Sequence, residues 1–257
     1  MESFFNKKIS HFIVLISFLI LILLLDFIFF YPKFGETPEY ENLRYVGYKN
    51  ITETETLFFN NLKPGDIVAY RPVSFLESYS YILEKEESGL KNIFVFFFYY
   101  NLFDKVLANS MGEDGYWHVY IYMGNKTLNS LDFSGSSTEI MDHNFFKTKY
   151  LKILRVNTKQ EYKKEAIKQA EIHKNIQDIS YSLKNGLIVV FARSTGIIPS
   201  FRIEEDKLVC SSYIALLYKD ITFNPYKNFN YISPADIEDS KLTETILLKN
   251  ERGIYIK

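Results

Sequence analysis

The chain has 257 residues, of which 47% are hydrophobic and 24% are charged, a balance typical of one folded domain with a sizeable core. A formal net charge of −1, without a basic stripe interleaved with aromatic residues, argues against nucleic-acid binding. The single cysteine excludes an internal disulfide, and no histidine stands at a metal-ligand spacing from it or from another histidine. We therefore expect neither a metal nor another cofactor.

The N-terminal region predicts a membrane anchor. Residues 12–31 are almost wholly apolar, and about 20 such residues in a helix span the hydrocarbon core of a bilayer. Lys7 and Lys8, in the short segment 1–11, precede this run and acidic residues follow it, so the positive-inside rule puts the N-terminus in the cytoplasm and the remaining chain outside. A cleaved signal peptide is the alternative, but it usually has a shorter apolar region and ends at small residues, which residues 29–33 do not provide.

The next part of the chain predicts a linker and then a sheet. Residues 32–56 are polar and acidic with helix-breaking proline and glycine, so we expect a linker before a folded domain at residues 57–257. Residues 61–70 predict a Pro-Gly turn that leads into a short apolar strand. Residues 116–123 predict a second strand, which ends at Gly-Asn and returns as a hairpin through residues 127–133.

The rest of the domain alternates further strands and helices. Residues 71–115 form a long insertion whose apolar part is too short to span a bilayer, so it is either buried or in contact with a lipid surface. Residues 150–156 predict a strand and residues 160–175 an amphipathic helix. Cys210 opens a final apolar helical run. Together these elements predict an α+β domain with a small antiparallel sheet and packed helices.

Cys210 and His118 carry the most specific chemical signal in the sequence. The macrodipole at a helix N-terminus favours the thiolate, and the small hydroxyl residues Ser211 and Ser212 suit a helix start. His118 opens the second strand, and an imidazole is the usual base for a thiol nucleophile. We therefore expect the thiol at the exposed start of an anchored helix. The alternative is a buried structural cysteine, which is common.

Five short motifs occur in a fixed order, and together they resemble a known family. They are KPGDIV at 63–68, HVYIYMG at 118–124, ISY at 179–181, VCSSYI at 209–214 and SPADI at 233–237. The set resembles the papain-like NlpC-type cysteine hydrolases. In the usual members the cysteine helix comes first, whereas here it comes last. This order resembles the circularly permuted branch, the YiiX- and YebB-like proteins, which is related to the lecithin:retinol acyltransferase group.

The resemblance implies a permuted papain-like fold and assigns roles to individual residues. Cys210 is implied as the nucleophile, His118 as the base and Tyr181 as a contributor to the oxyanion site. Asp66 is implied only as a structural turn residue. The N-terminus of the Cys210 helix supplies a backbone N–H to the oxyanion, a kind of donor worth about 3–4 kcal/mol in other enzymes.

The third catalytic position departs from the family pattern. The family carries His, Glu, Asn or Gln there to orient the imidazole, whereas counting from His118 places Ser130 at this position. Strand alternation puts Ser130 and Asp132 on one face and Asn129 on the other. Asp132 is the better partner for an imidazolium but requires a shift of register, and Asn129 requires a bulge or a different register.

The resemblance therefore implies a membrane-anchored hydrolase that cleaves an amide, thioester or ester bond through an acyl-Cys210 intermediate, without a cofactor. Its substrate class is implied to be a peptidoglycan peptide or a lipid-linked acyl group near the membrane. Two alternatives stay open. One is an acyltransferase with the same Cys–His pair, and the other is a catalytically inactive, membrane-tethered binding module.

Overall fold

The computed structural model describes residues 42–72, 118–132, 134–182, 184–186, 188–189, 192, 197, 206–250 and 252–257. Its strands are β1 (Arg44–Gly47), β2 (Ile67–Pro72), β3 (His118–Gly124), β4 (Thr127–Asp132), β5 (Gly135–Ile140), β6 (Lys149–Val156), β7 (Ser180–Tyr181), β8 (Lys207–Leu208), β9 (Thr243–Asn250) and β10 (Gly253–Ile256). Its helices are α1 (Ile51–Asn61), α2 (His143–Thr148), α3 (Gln160–Ile176), α4 (Cys210–Leu217) and α5 (Pro234–Glu238), with a 3₁₀ turn at Phe229–Tyr231. The predicted α+β class is confirmed.

The strands form one large antiparallel sheet and one small parallel pair. The large sheet has eight strands in the order β1-β10-β9-β6-β2-β3-β4-β5, and the small sheet pairs β7 with β8. The sheet is larger than predicted because strands from both ends of the described chain extend it. The predicted hairpin is present as β3 and β4, and its turn residues Asn125 and Lys126 have φ of 51° and 63°, as a type I′ turn requires.

The predicted linker, residues 32–56, is wrong from residue 44 onwards. Strand β1 pairs with β10 at the edge of the large sheet. Helix α1 begins directly afterwards, where the Asn50 side chain accepts a hydrogen bond from the Glu53 backbone N–H at 2.9 Å. Because β1 is an edge strand and α1 exposes Thr52, Glu53 and Thr56, this part of the chain is rich in polar residues although it is folded.

The large sheet has two differently packed faces. We call the face that packs against α3 and α4 the helical face; it carries Ile67, Ala69, Val119, Ile121, Leu131 and Leu154. We call the opposite face the tyrosine face; it carries Val68, Tyr70, Tyr120, Tyr122, Leu128 and Leu151, and it packs against aromatic residues of α1 and α2. The two sets alternate along each strand, as the pleat of a sheet requires.

Several predicted segments lie outside the described residues. These are the N-terminal segment 1–11, the predicted transmembrane anchor 12–31 and the insertion from residue 73 onwards; the first two residues of the predicted insertion complete strand β2. Within the ranges that the structure describes, no helix is both long and apolar enough to cross a bilayer. The helix predicted at residues 160–175 corresponds to α3, which ends where Gln177 adopts a left-handed conformation.

Candidate functional site

Cys210 is the first residue of α4 and lies in the core, not at an exposed helix start. Its side chain is only 4% exposed and belongs to the same apolar cluster as Val119 and Leu131 of the helical face. The hydroxyls of Ser211 and Ser212 donate hydrogen bonds to main-chain carbonyls of the segment around the 3₁₀ turn, at 2.7 and 3.0 Å. This segment covers the start of α4, so the expectation of an exposed thiol is wrong.

Burial sets the ionisation of the Cys210 thiol. The pKa of Cys210 is raised to about 11, because desolvation raises it by more than hydrogen bonds from the backbone of Val119, of Ser211 and of Cys210 itself lower it. The N-terminus of α4 therefore lowers the pKa of the thiol, as predicted, since two of these groups belong to the first residues of this helix. In the arrangement that the structure shows, however, the cost of burying a charged sulfur outweighs these bonds.

His118 lies against the opposite face of the sheet from the thiol. Its ring contacts the ring of Tyr70 at 5.5 Å and that of Tyr120 at 4.8 Å between centroids, and both tyrosines belong to the tyrosine face. The ring nitrogen Nε2 is buried. The link between the two residues is the main chain of β3, because the backbone of Val119, the residue after His118, hydrogen-bonds to the thiol.

The three candidates for the third position occupy different surroundings. The Ser130 hydroxyl donates to the main-chain carbonyl of Val119 at 2.6 Å. Continuing the register of the Ile121–Asn129 pair along the hairpin places Asp132 across from His118 without the shift that we expected. The carboxylate of Asp132 accepts hydrogen bonds from the hydroxyls of Ser134 and Ser137 in the next hairpin, formed by β4 and β5.

Asn129, the remaining candidate, takes part in a buried network on the helical face. Its Oδ1 accepts a hydrogen bond from the hydroxyl of Tyr213 at 3.0 Å, and its Nδ2 donates to the hydroxyl of Ser136 at 3.2 Å. The Ser136 hydroxyl also lies 3.0 Å from that of Tyr213. Burial raises the pKa of Tyr213 to about 12. The sequence places Tyr213 three residues after Cys210, but nothing in the sequence indicated this network.

Tyr181 is brought close to the cysteine helix by the small parallel sheet. Strands β7 and β8 align Tyr181 with Leu208, two residues before Cys210. The Tyr181 side chain is partly buried and packs against the apolar cluster that contains the thiol. Tyr181 and Cys210 therefore belong to the same apolar region, whereas the His118 ring lies on the other face of the sheet.

Asp66 lies in the turn before β2. Its fully buried carboxylate accepts a hydrogen bond from the Lys63 backbone N–H at 2.9 Å and pairs with Arg155 at 2.9 Å. Its main-chain carbonyl accepts a bond from the Tyr122 N–H at 2.8 Å. The preceding Gly65 has a φ of +89°, and a Cβ there would lie 2.8 Å from the Cβ of Lys163. These contacts fix the turn against β3, β6 and α3.

The described residues offer no metal site, and the chain has no match among known protein families. Within the described ranges, no group of three or more His, Cys, Asp or Glu side chains is arranged to hold a metal ion. No model of a known protein family matches the chain, and no curated protein matches its sequence.

Proposed function

We propose that the protein is a cysteine hydrolase in which Cys210 is the nucleophile and His118 is the base. The observation that carries this proposal is the surroundings of the sulfur. Cys210 is the first residue of a helix, and backbone groups of Val119, Ser211 and Cys210 itself donate hydrogen bonds to it. Such donors stabilise a thiolate, and at a helix N-terminus they also stabilise the oxyanion of a tetrahedral intermediate.

In the proposed reaction, the Cys210 sulfur forms a bond to the carbonyl carbon of an amide, thioester or ester, and the thiol proton passes to the imidazole of His118. The carbonyl oxygen becomes an oxyanion next to the start of α4 and the hydroxyl of Tyr181. When the tetrahedral intermediate collapses, the bond to the leaving group breaks and the imidazolium protonates that group. Water then attacks the acyl-Cys210 thioester, with His118 taking its proton, and the acid and the free thiol are released.

The proposal requires His118 to turn towards the sulfur. The His118 ring contacts Tyr70 and Tyr120 on the tyrosine face, whereas Cys210 belongs to the cluster of the helical face, so the start of β3 must rearrange for the imidazole to reach the sulfur. Asp132, across the hairpin from His118, is the third residue that we propose for orienting the imidazole.

The substrate class follows from the proposed location. If residues 12–31 anchor the chain with the domain on the outer side, the reachable substrates are peptidoglycan peptides and lipid-linked acyl groups. An acyltransferase would use the same acyl-Cys210 intermediate but release it to an amine or a hydroxyl. Product analysis by mass spectrometry, with and without an added amine acceptor, distinguishes the two reactions.

Trapping the acyl intermediate tests the proposal directly. The full chain in detergent micelles is mixed with a p-nitrophenyl ester of a medium-chain acid, quenched in acid and analysed by intact mass. We expect one acyl group on the wild type, none on Cys210→Ser, and at least tenfold slower acylation of His118→Ala. The matched control is His143→Ala, since His143 is an exposed histidine that pairs with Glu55. Absence of the adduct, or full-rate acylation of His118→Ala, contradicts the proposal.

The second candidate is a non-catalytic binding module with the same fold. The burial of Cys210, the raised pKa of its thiol and the position of the His118 ring on the tyrosine face favour it. In that case the acylation experiment yields no adduct, and alkylation of the thiol is slow and is the same in His118→Ala as in the wild type.

A further inference from the structure

Three buried side chains on the helical face form a closed ring of hydrogen bonds. Tyr213 of α4, Asn129 of β4 and Ser136 of β5 are each at most 2% exposed. The Tyr213 hydroxyl donates to Asn129 Oδ1 at 3.0 Å, Asn129 Nδ2 donates to the Ser136 hydroxyl at 3.2 Å, and the hydroxyls of Ser136 and Tyr213 lie 3.0 Å apart. The ring therefore joins the cysteine helix to two neighbouring strands.

The main-chain carbonyl of Ser137 sets the direction of every bond in this ring. Because a carbonyl only accepts, the amide atom 2.9 Å from it must be Asn129 Nδ2, so Oδ1 is the atom that faces Tyr213. The single proton of the Tyr213 hydroxyl goes to Oδ1, and the second hydrogen of Nδ2 goes to the Ser136 oxygen. Ser136 must then donate its own proton to the Tyr213 oxygen. Removal of any one member leaves a buried donor or acceptor without its partner in the ring.

Tyr213 lies one helical turn after Cys210 in α4. Residues three apart in a helix share a face, because they lie only about 60° apart around the axis. The Tyr213 N–H also donates to the Val209 carbonyl at 2.8 Å, which closes the first turn of the helix around Cys210. A bond at the end of the Tyr213 side chain therefore restrains the rotation of α4 and, with it, the position of Cys210.

The two residues between Cys210 and Tyr213 restrain the same turn from another side. The hydroxyls of Ser211 and Ser212 donate to main-chain carbonyls of Ile232 and Asn230. Successive residues of a helix are turned by about 100° from one another. Residues 211–213 therefore tie the first turn of α4 to two different parts of the fold, and the ring is the tie to the sheet.

We infer that Tyr213, Asn129 and Ser136 are positioning residues, which fix the place of the Cys210 sulfur by fixing the first turn of α4 on the sheet. The inference deepens the proposed function, on which it rests for the role of the sulfur. It gives Asn129, a candidate for the third catalytic position, a different role: its amide acts on the cysteine helix and not on the imidazole of His118.

One resonance reports the surroundings of the thiol, because the chain has a single cysteine. The full chain is labelled with ¹³Cβ-cysteine in detergent micelles, and the wild type is compared with Tyr213→Phe and with Ser136→Ala. Ser136→Ala is the sharper variant, since Ser136 lies on β5 whereas α4 packs on β3 and β4 of the sheet. We expect each variant to shift or split the cysteine resonance.

The matched control is Tyr218→Phe. Tyr218 follows the last residue of α4 and is 2% exposed, and its hydroxyl donates to the main-chain carbonyl of Gly65. This variant also removes a buried tyrosine hydroxyl, but one outside the ring, so it should lose stability and keep the wild-type resonance. An unchanged resonance in either ring variant, or the same change in Tyr218→Phe, overturns the inference.

The acylation assay separates positioning from a purely structural role. The limiting rate of acylation by the p-nitrophenyl ester should fall about 10- to 100-fold in Tyr213→Phe and in Ser136→Ala, since a misplacement of about 1 Å can cost about 100-fold. The ester concentration that gives half the limiting rate should stay the same, because the buried ring does not contact the ester. Tyr218→Phe should react at the wild-type rate. Wild-type acylation in the two ring variants would overturn the inference.

The two proposals fail in different ways. A changed cysteine resonance in the ring variants, in a protein that forms no acyl adduct with the ester, upholds the positioning role and refutes the hydrolase. An acyl adduct in the wild type, with an unchanged resonance in the ring variants, upholds the hydrolase and refutes the positioning role.

Discussion

The burial of Cys210 predicts slow alkylation of the native thiol. Desolvation outweighs the backbone hydrogen bonds to the sulfur, so the pKa of this thiol rises from 9.0 to about 11. At neutral pH, two pKa units correspond to about 100-fold less thiolate than in an exposed cysteine. A thiolate of higher pKa is intrinsically more nucleophilic. With a Brønsted slope of about 0.45, two pKa units raise the rate constant of the thiolate about eightfold. The net expectation is alkylation about tenfold slower, before steric shielding is counted.

The matched comparison is the same chain in its native and unfolded states. Iodoacetamide is added at pH 7.5 to the full chain in detergent micelles and, in parallel, to the chain unfolded in concentrated urea, and intact mass follows the single adduct. We expect at least tenfold slower labelling of the native chain. Native labelling as fast as that of the unfolded chain would refute the argument from desolvation. If that fast rate also fell in His118→Ala, the thiol would be activated by the imidazole without any rearrangement.

Three further predictions concern stability. Asp66→Ala should lower the free energy of unfolding by about 3–5 kcal/mol in urea titrations, because it removes the buried partner of Arg155; a change below about 1 kcal/mol would contradict this. Tyr213→Phe should cost about 1–3 kcal/mol in the same assay, since a buried amide oxygen loses its donor, and no cost would refute the network. Burial raises the pKa of Asp236, but hydrogen bonds from Lys227, Ser233 and Asn224 together lower it by more. The ionised carboxylate therefore stabilises the fold above the ordinary pKa of about 3.9, and this stabilisation is lost as the pH falls through the lowered pKa. The free energy of unfolding of Asp236→Asn should therefore fall less steeply with decreasing pH than that of the wild type. The same pH dependence in both proteins would contradict this role of Asp236.

The elements that the sequence predicts correctly are those set by local patterns. Strands β3 and β4 alternate and are joined by a turn that begins with Asn125, so the hairpin is readable from a few adjacent residues. Helix α3 has apolar residues at helical spacing and a polar outer face. The helical run after Cys210 is visible for the same reason, and α4 begins at the predicted residue.

The surroundings of the thiol could not be predicted because they depend on contacts between distant segments. Alternation shows that His118 and Val119 point to opposite faces of β3, but it does not show which face α4 covers. In the structure α4 packs against the aliphatic side, with Val119 and Ile121, while the opposite side is filled with tyrosines. The carbonyls that bind Ser211 and Ser212, the residues after Cys210, come from Ile232 and Asn230, about twenty positions further along the chain.

The pairing of β1 with β10 brings the two ends of the described domain to one edge of the sheet. Arg44 lies directly across from Ile256, and neighbouring strands are only about 5 Å apart. A few added residues would therefore join the ends of the domain at Arg44 and Ile256. The chain could then be cut at the exposed turn formed by Asn125 and Lys126 without changing any strand pairing. The order in which the cysteine and histidine segments follow one another along the chain is thus separable from their arrangement in space.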